Sequence, residues 1–173
     1  MNTKVRTSTG WTSWRIELLL LGLALIAVVL AYQLKGPSCI HLGNRSANPF
    51  VEGFSFREGA DTGTYRWSGA RAALTFRGIG RQDGVLYLRF GAPQGQVRLW
   101  ANGHLMTPEP IGSPEPADHV LPIPRDWIGA AGNLAISLES ATFSVPPDTR
   151  ALGAQVVSAC FRPGAGPVLP ALP

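Results

Sequence analysis

The side chains of this 173-residue sequence that could do chemistry are few and scattered. Cys39 and Cys160 are the only cysteines. In an exported chain, two cysteines at the two ends of one domain suggest a single disulfide, with two unpaired thiols as the alternative. Closing so long a loop is worth about 4–5 kcal/mol in the chain-entropy model. His41, His104 and His119 share no ligand spacing with each other or with the cysteines, so no metal is expected, and no cofactor motif occurs. The carboxylates are scattered, and no nucleophile-elbow, zincin or phosphate-loop pattern is present, so the reading is not an enzyme. Trp67, Trp100 and Trp127 have the flat apolar faces that stack on a sugar ring. Trp67 shares a strand face with Tyr65, and Trp100 lies within a strand, so both read as packing residues. Trp127 follows Pro124-Arg125-Asp126 in a loop, which makes Trp127 and Arg125 the candidate ligand or partner contacts. Arg150, between Asp148 and Leu152, is placed to form a structural ion pair with Glu52 or Glu58. Arg66, Arg71, Arg77, Arg89 and Arg98 recur along strands and read as ion-pairing residues of a solvated sheet face.

The elements that must position these residues are strands. From Cys39 onward the chain runs in short segments of period two separated by Gly, Pro, Asn and Asp. Phe50–Arg57, Thr64–Trp67, Ala72–Phe76, Val85–Phe90, Val97–Ala101, Val120–Ile123, Leu134–Leu138 and Val156–Phe161 give about eight strands. Asn102-Gly103 between apolar runs is a strong signal for a type I′ hairpin. Strands at this spacing without helical repeats indicate an all-β antiparallel sandwich or jelly roll. Pro108–Pro116 reads as an exposed loop.

The net charge of +4 is unevenly placed. Residues 1–35 hold four basic residues against one acidic, which is +3, whereas residues 36–173 hold eleven Arg against ten carboxylates. The basic excess flanks one apolar segment, so nucleic acid is excluded as the expected partner. Ile16–Leu34 reads as one N-terminal transmembrane helix, roughly 28 Å long if fully helical. Lys4, Arg6 and Arg15 before it place the N-terminus in the cytoplasm by the positive-inside rule. A cleaved signal peptide is the competing reading. The expected organisation is a cytoplasmic tail at 1–15, a single-pass signal-anchor at 16–34, an extracytoplasmic sandwich at 39–162 and a Pro/Gly-rich tail at 163–173.

A resemblance then enters, carried by Phe56, Glu58, Tyr65-Arg66-Trp67, Ala70-Arg71-Ala72, Leu86-Tyr87-Leu88-Arg89 and Asn102-Gly103. Leu138-Glu139-Ser140, Thr142–Pro146 and the Asp148-Thr149-Arg150-Ala151-Leu152-Gly153 ending complete it. The chain over about residues 50–160 resembles an extracytoplasmic galactose-binding-like β-sandwich domain attached to bacterial polytopic membrane proteins of the glycosyltransferase type. The resemblance implies a sandwich fold and an accessory role. The cysteine pair and the single span depart from the pattern, and no catalytic role carries over. The resulting expectation is a non-catalytic accessory subunit of a membrane protein complex at a cell membrane, with the lipid bilayer and other membrane subunits as partners. The alternative is a membrane-anchored carbohydrate or cell-envelope binding module.

Overall fold

The computed structural model describes residues 10–33, 38–60, 63–91, 96–112 and 114–164. A helix, α1 (Gly10–Gln33), precedes ten strands. These are β1 (Ser38–His41), β2 (Val51–Phe54), β3 (Glu58–Ala60), β4 (Gly63–Phe76), β5 (Gly84–Phe90), β6 (Val97–Ala101), β7 (His104–Leu105), β8 (Ala117–Ile123), β9 (Leu134–Ser140) and β10 (Gln155–Pro163). All pairings are antiparallel, in the order β7-β6-β9-β4-β10-β5-β8, with β1 added to β10 and β2 and β3 added to β4. Among the described residues the part after α1 is therefore mostly β, with short 3-10 turns at Arg45–Phe50 and Arg125–Trp127, built as a curled antiparallel sheet of sandwich type.

β4 makes the curl. Its first half pairs Arg66 and Trp67 with β10, and its second half pairs Arg71–Phe76 with β9. One long strand thus serves both layers, where the sequence suggested two strands separated at Ser68–Arg71. The apparent break is bridged by buried polar contacts. Ser68 Oγ accepts from the Ala154 N–H at 2.8 Å and bonds Ser140 Oγ at 3.1 Å, and the Ser68 carbonyl accepts from Gly153 at 2.7 Å. A buried serine so satisfied costs little, and the strand continues through it.

Between the layers lie Leu74, Phe76, Leu99, Ile136 and Leu138 from one side and Leu86, Leu88, Phe90 and Phe161 from the other, all buried in one cluster. Each such side chain contributes about 1.5–3 kcal/mol on burial. Alternation fixes the outward residues: β9 buries Leu134, Ile136 and Leu138 and exposes Ser137 and Glu139, while β6 buries Val97, Leu99 and Ala101.

The N-terminal region corrects an expectation. Among the described residues no helix is long and apolar enough to cross a membrane. Charged Arg15 and Glu17 interrupt α1 near its start. The single-pass anchor with a cytoplasmic N-terminus, the cell-membrane placement and the lipid bilayer as partner are withdrawn on this ground. The large apolar side chains of α1 from Trp14 to Leu30 are exposed. Leu34, residues 1–9 of the N-terminal tail and residues 165–173 of the C-terminal tail lie outside the described residues.

Candidate functional site

The outer face of the β7-β6-β9-β4-β2 layer carries the feature best suited to a ligand. Register aligns Leu105 with Trp100, Trp100 with Ser137, Ser137 with Ala73 and Ala73 with Glu52. Residues directly opposite in antiparallel strands share a face, so these five form one row across five strands. A second row beside it joins Arg98, Glu139 and Arg71. From these rows Glu52, Arg71, Ala73, Trp100, Ser137 and Glu139 line a shallow cavity of about 510 Å³, with Leu105 and Arg98 beyond its lining. The volume falls within the range of small-molecule sites.

Trp100 is half-buried and presents the aromatic surface of this cavity, with small Ser137 and Ala73 next to it. The charged row is only loosely paired. Arg71 Nε lies 3.8 Å from Glu139 Oε1, and the Arg71 side chain is 88% exposed. Both groups therefore keep hydrogen-bonding capacity for a ligand, and their mutual attraction in water is small. Gly53, with φ of 71°, sits at the register shift between Glu52 and Phe54. A Cβ there would run into the Arg71 carbonyl, so glycine is what lets β2 approach β4 and carry Glu52 to the cavity rim.

Of the residues singled out from sequence, Trp127, Arg125, Arg150 and Glu58 lie elsewhere. Trp127 is half-buried, packs against the core and stacks on His104 at 5.2 Å with ring planes 2° apart. Its carbonyl accepts from Asn102 Nδ2 at 2.7 Å, and Asn102 also bonds Asn133 and Ala135, which ties the β6–β7 hairpin to the loop before β9. Arg125 donates its backbone N–H to Asp83 Oδ1 at 2.8 Å while its side chain stays exposed, 3.7 Å from Asp126. Arg150 Nη1 bonds Glu58 Oε1 at 2.6 Å, and its Nε bonds Asp148 Oδ2 at 2.8 Å. The two carboxylates raise the Arg150 pKa further above its usual range, and the Arg150 bonds hold Asp148 below the usual carboxylate range. Glu58 also accepts from Trp67 Nε1 at 3.2 Å, and Trp67 packs edge-on against Tyr65 and Phe143. Glu52 is not in this network; it belongs to the cavity.

The opposite layer, β1-β10-β5-β8, has a differently built outer face. Cys39 and Cys160 are opposite each other and joined by a disulfide. Beside them Tyr87 is buried under the Arg162 guanidinium, 5.2 Å from its ring centre. Arg89 makes two bonds to Asp118, at 2.7 and 2.9 Å, and this pairing holds the Asp118 carboxyl below its ordinary range. The strand arginines thus do not form one solvated set. Arg66 is buried, with Nε donating to the Leu42 carbonyl at 2.7 Å and Nη2 to Asn48 Oδ1 at 2.6 Å, and Arg77 lies over the Phe50 ring. Among the described residues no group of three His, Cys, Asp or Glu could hold a metal ion.

Fold and site together define a small curled antiparallel β-domain with an outer-face cavity. No protein-family model matches the chain, and no curated protein matches it in sequence. Solved structures do resemble it. The ANX2 ectodomain from Arabidopsis thaliana aligns with a TM-score of 0.50 at 11% identity, over 71% of this chain and 44% of that one. A family 35 carbohydrate binding module from Clostridium thermocellum aligns at 0.46 and 12% identity, over 73% of this chain and 98% of that one. The CBM36-1 domain of a multidomain xylanase from the hindgut metagenome of Trinervitermes trinervoides aligns at 0.43 and 15% identity, over 75% and 98%. The chain spans less than half of the ANX2 ectodomain. The likeness to the ANX2 ectodomain, at this identity, shows a shared fold alone.

Proposed function

We propose that this protein is a non-catalytic carbohydrate-binding module whose site is the cavity over Trp100. The observation that carries the reading is the row Trp100–Ser137–Ala73–Glu52 flanked by Arg71 and Glu139. It combines one aromatic face with forked donors and carboxylate acceptors, the pairing that fixes a pyranose by stacking and by hydroxyl hydrogen bonds. The disulfide supports an extracellular setting, since such bonds persist in oxidising compartments. The accessory-subunit reading relied on a membrane span and has no support without it.

A second reading places sugar contact at Trp127 and Arg125, favoured by the coplanar His104–Trp127 stack at the hairpin end of the domain. A glycan array probed with the full chain and with its Trp100→Ala variant tests the main reading. At least one glycan is expected to bind the parent chain and to be lost in the variant. No glycan above background would sink it.

A further inference from the structure

Resting on that carbohydrate reading, we infer that the cavity takes an internal stretch of an uncharged, linear glycan laid across the strands, not a terminal sugar. The row on which it lies runs from one edge of its layer to the other and extends past the cavity at Leu105. β7, at the Leu105 end, pairs only with β6, and β2, at the Glu52 end, pairs only with β4 among the described residues. Among the described residues both ends of the row are therefore sheet edges, with no further strand to close them. Five strands at about 4.8 Å spacing make a path about 19 Å long, several times the width of one sugar ring.

The floor of this path is low. Ser137 and Ala73 lie between Trp100 and Glu52, and neither side chain is large enough to divide the trough. Along one flank stand Arg98, Glu139 and Arg71; the opposite flank, where Ala135 pairs with Thr75, carries no charge. A chain lying in the trough thus meets one rail of donors and acceptors and one neutral rail. Among the described lining residues one cation, Arg71, stands against two carboxylates, Glu52 and Glu139, and Arg98 lies beyond the lining. A polyanion would lose more at the carboxylates than it gains at Arg71, so the trough disfavours it. An uncharged polyol uses all three groups as hydrogen-bond partners without needing either sign.

The test is calorimetric titration of the full chain with neutral β-1,4-linked gluco-, xylo- and manno-oligosaccharides of one to six units. A uronic-acid polymer is titrated alongside, each ligand at low and high salt. Affinity for one neutral series is expected to rise more than about tenfold from one unit to four, since each added ring finds further contacts along the row. It is expected to change little with salt. Ala73→Arg, on the outer face and away from the core, is expected to raise the floor and reduce hexasaccharide affinity to that of the monosaccharide, with an unchanged melting temperature. A monosaccharide bound as tightly as its hexamer would overturn the inference and leave the carbohydrate reading standing. So would tight, salt-sensitive binding of the uronic-acid polymer alone, or indifference to Ala73→Arg. Failure of every sugar to bind would overturn both.

Discussion

The two outer faces of the domain obey the same alternation yet end in opposite states. On β1-β10-β5-β8 the outward residues are consumed by one another: Cys39 by Cys160, Tyr87 by Arg162, Arg89 by Asp118. On β7-β6-β9-β4-β2 the outward residues are left available, with Arg71 and Glu139 3.8 Å apart and Trp100 open at the edge of a 510 Å³ cavity. The first face makes its contacts within the fold and contributes to stability. The second leaves hydrogen-bonding capacity and aromatic surface unspent within the fold, which is what the proposed ligand would use.

Removing the staple of the closed face should have the largest effect. Cys39→Ser with Cys160→Ser opens a cross-link spanning 121 residues of sequence and should cost about 4–5 kcal/mol in denaturant unfolding, while ligand affinity of the folded fraction stays unchanged. The open face should show the reverse split. Trp100→Ala should weaken glycan binding on the order of 30-fold or more, as loss of a central aromatic contact does, while costing only about 1–2 kcal/mol of stability.

Acid should act on the closed layer and on the Asp148–Arg150 pair. Pairing with Arg89 lowers the Asp118 pKa, so its contribution is full above the unfolded value of about 3.9 and is lost as pH falls through the lower folded value. Burial lowers the pKa of His119, whose ring sits edge-on to Phe90 with Nε2 buried. Below about pH 6.5 the unfolded chain takes up that proton and the folded chain resists it, so stability declines from there downward. Urea unfolding across pH should show both steps, Asp118→Asn reducing the lower, to which Asp148 also contributes, and His119→Phe removing the upper. The smallest effect is expected for Glu139→Gln, under about 0.5 kcal/mol in unfolding, because its pair with Arg71 is exposed.

Much of this arrangement is legible in the sequence where local rules govern it. Asn102 and Gly103 take φ of 45° and 86°, the positive values that their residue types announce at a hairpin. The cysteines flank one domain and meet across its β1–β10 pair. β4 was hidden because Ser68-Gly69-Ala70 looks like punctuation, and only tertiary partners at Ser140 and Ala154 reveal a strand. Trp100 carried an unused signal. It alternates with Leu99 and Ala101 and shares its parity with Arg98, which places it outward. Which residues then meet across the row depends on the register of β2, β4 and β9, and their long connections leave that register open.

The assignment of the site to Trp100 is tested most directly by tryptophan indole N–H resonances in 15N correlation spectra of the full chain, titrated with the glycan it binds. The Trp100 signal is expected to shift with ligand while those of Trp67 and Trp127 hold still. Movement of the Trp127 signal with Trp100 unmoved would contradict the account and put the site at the hairpin end of the domain.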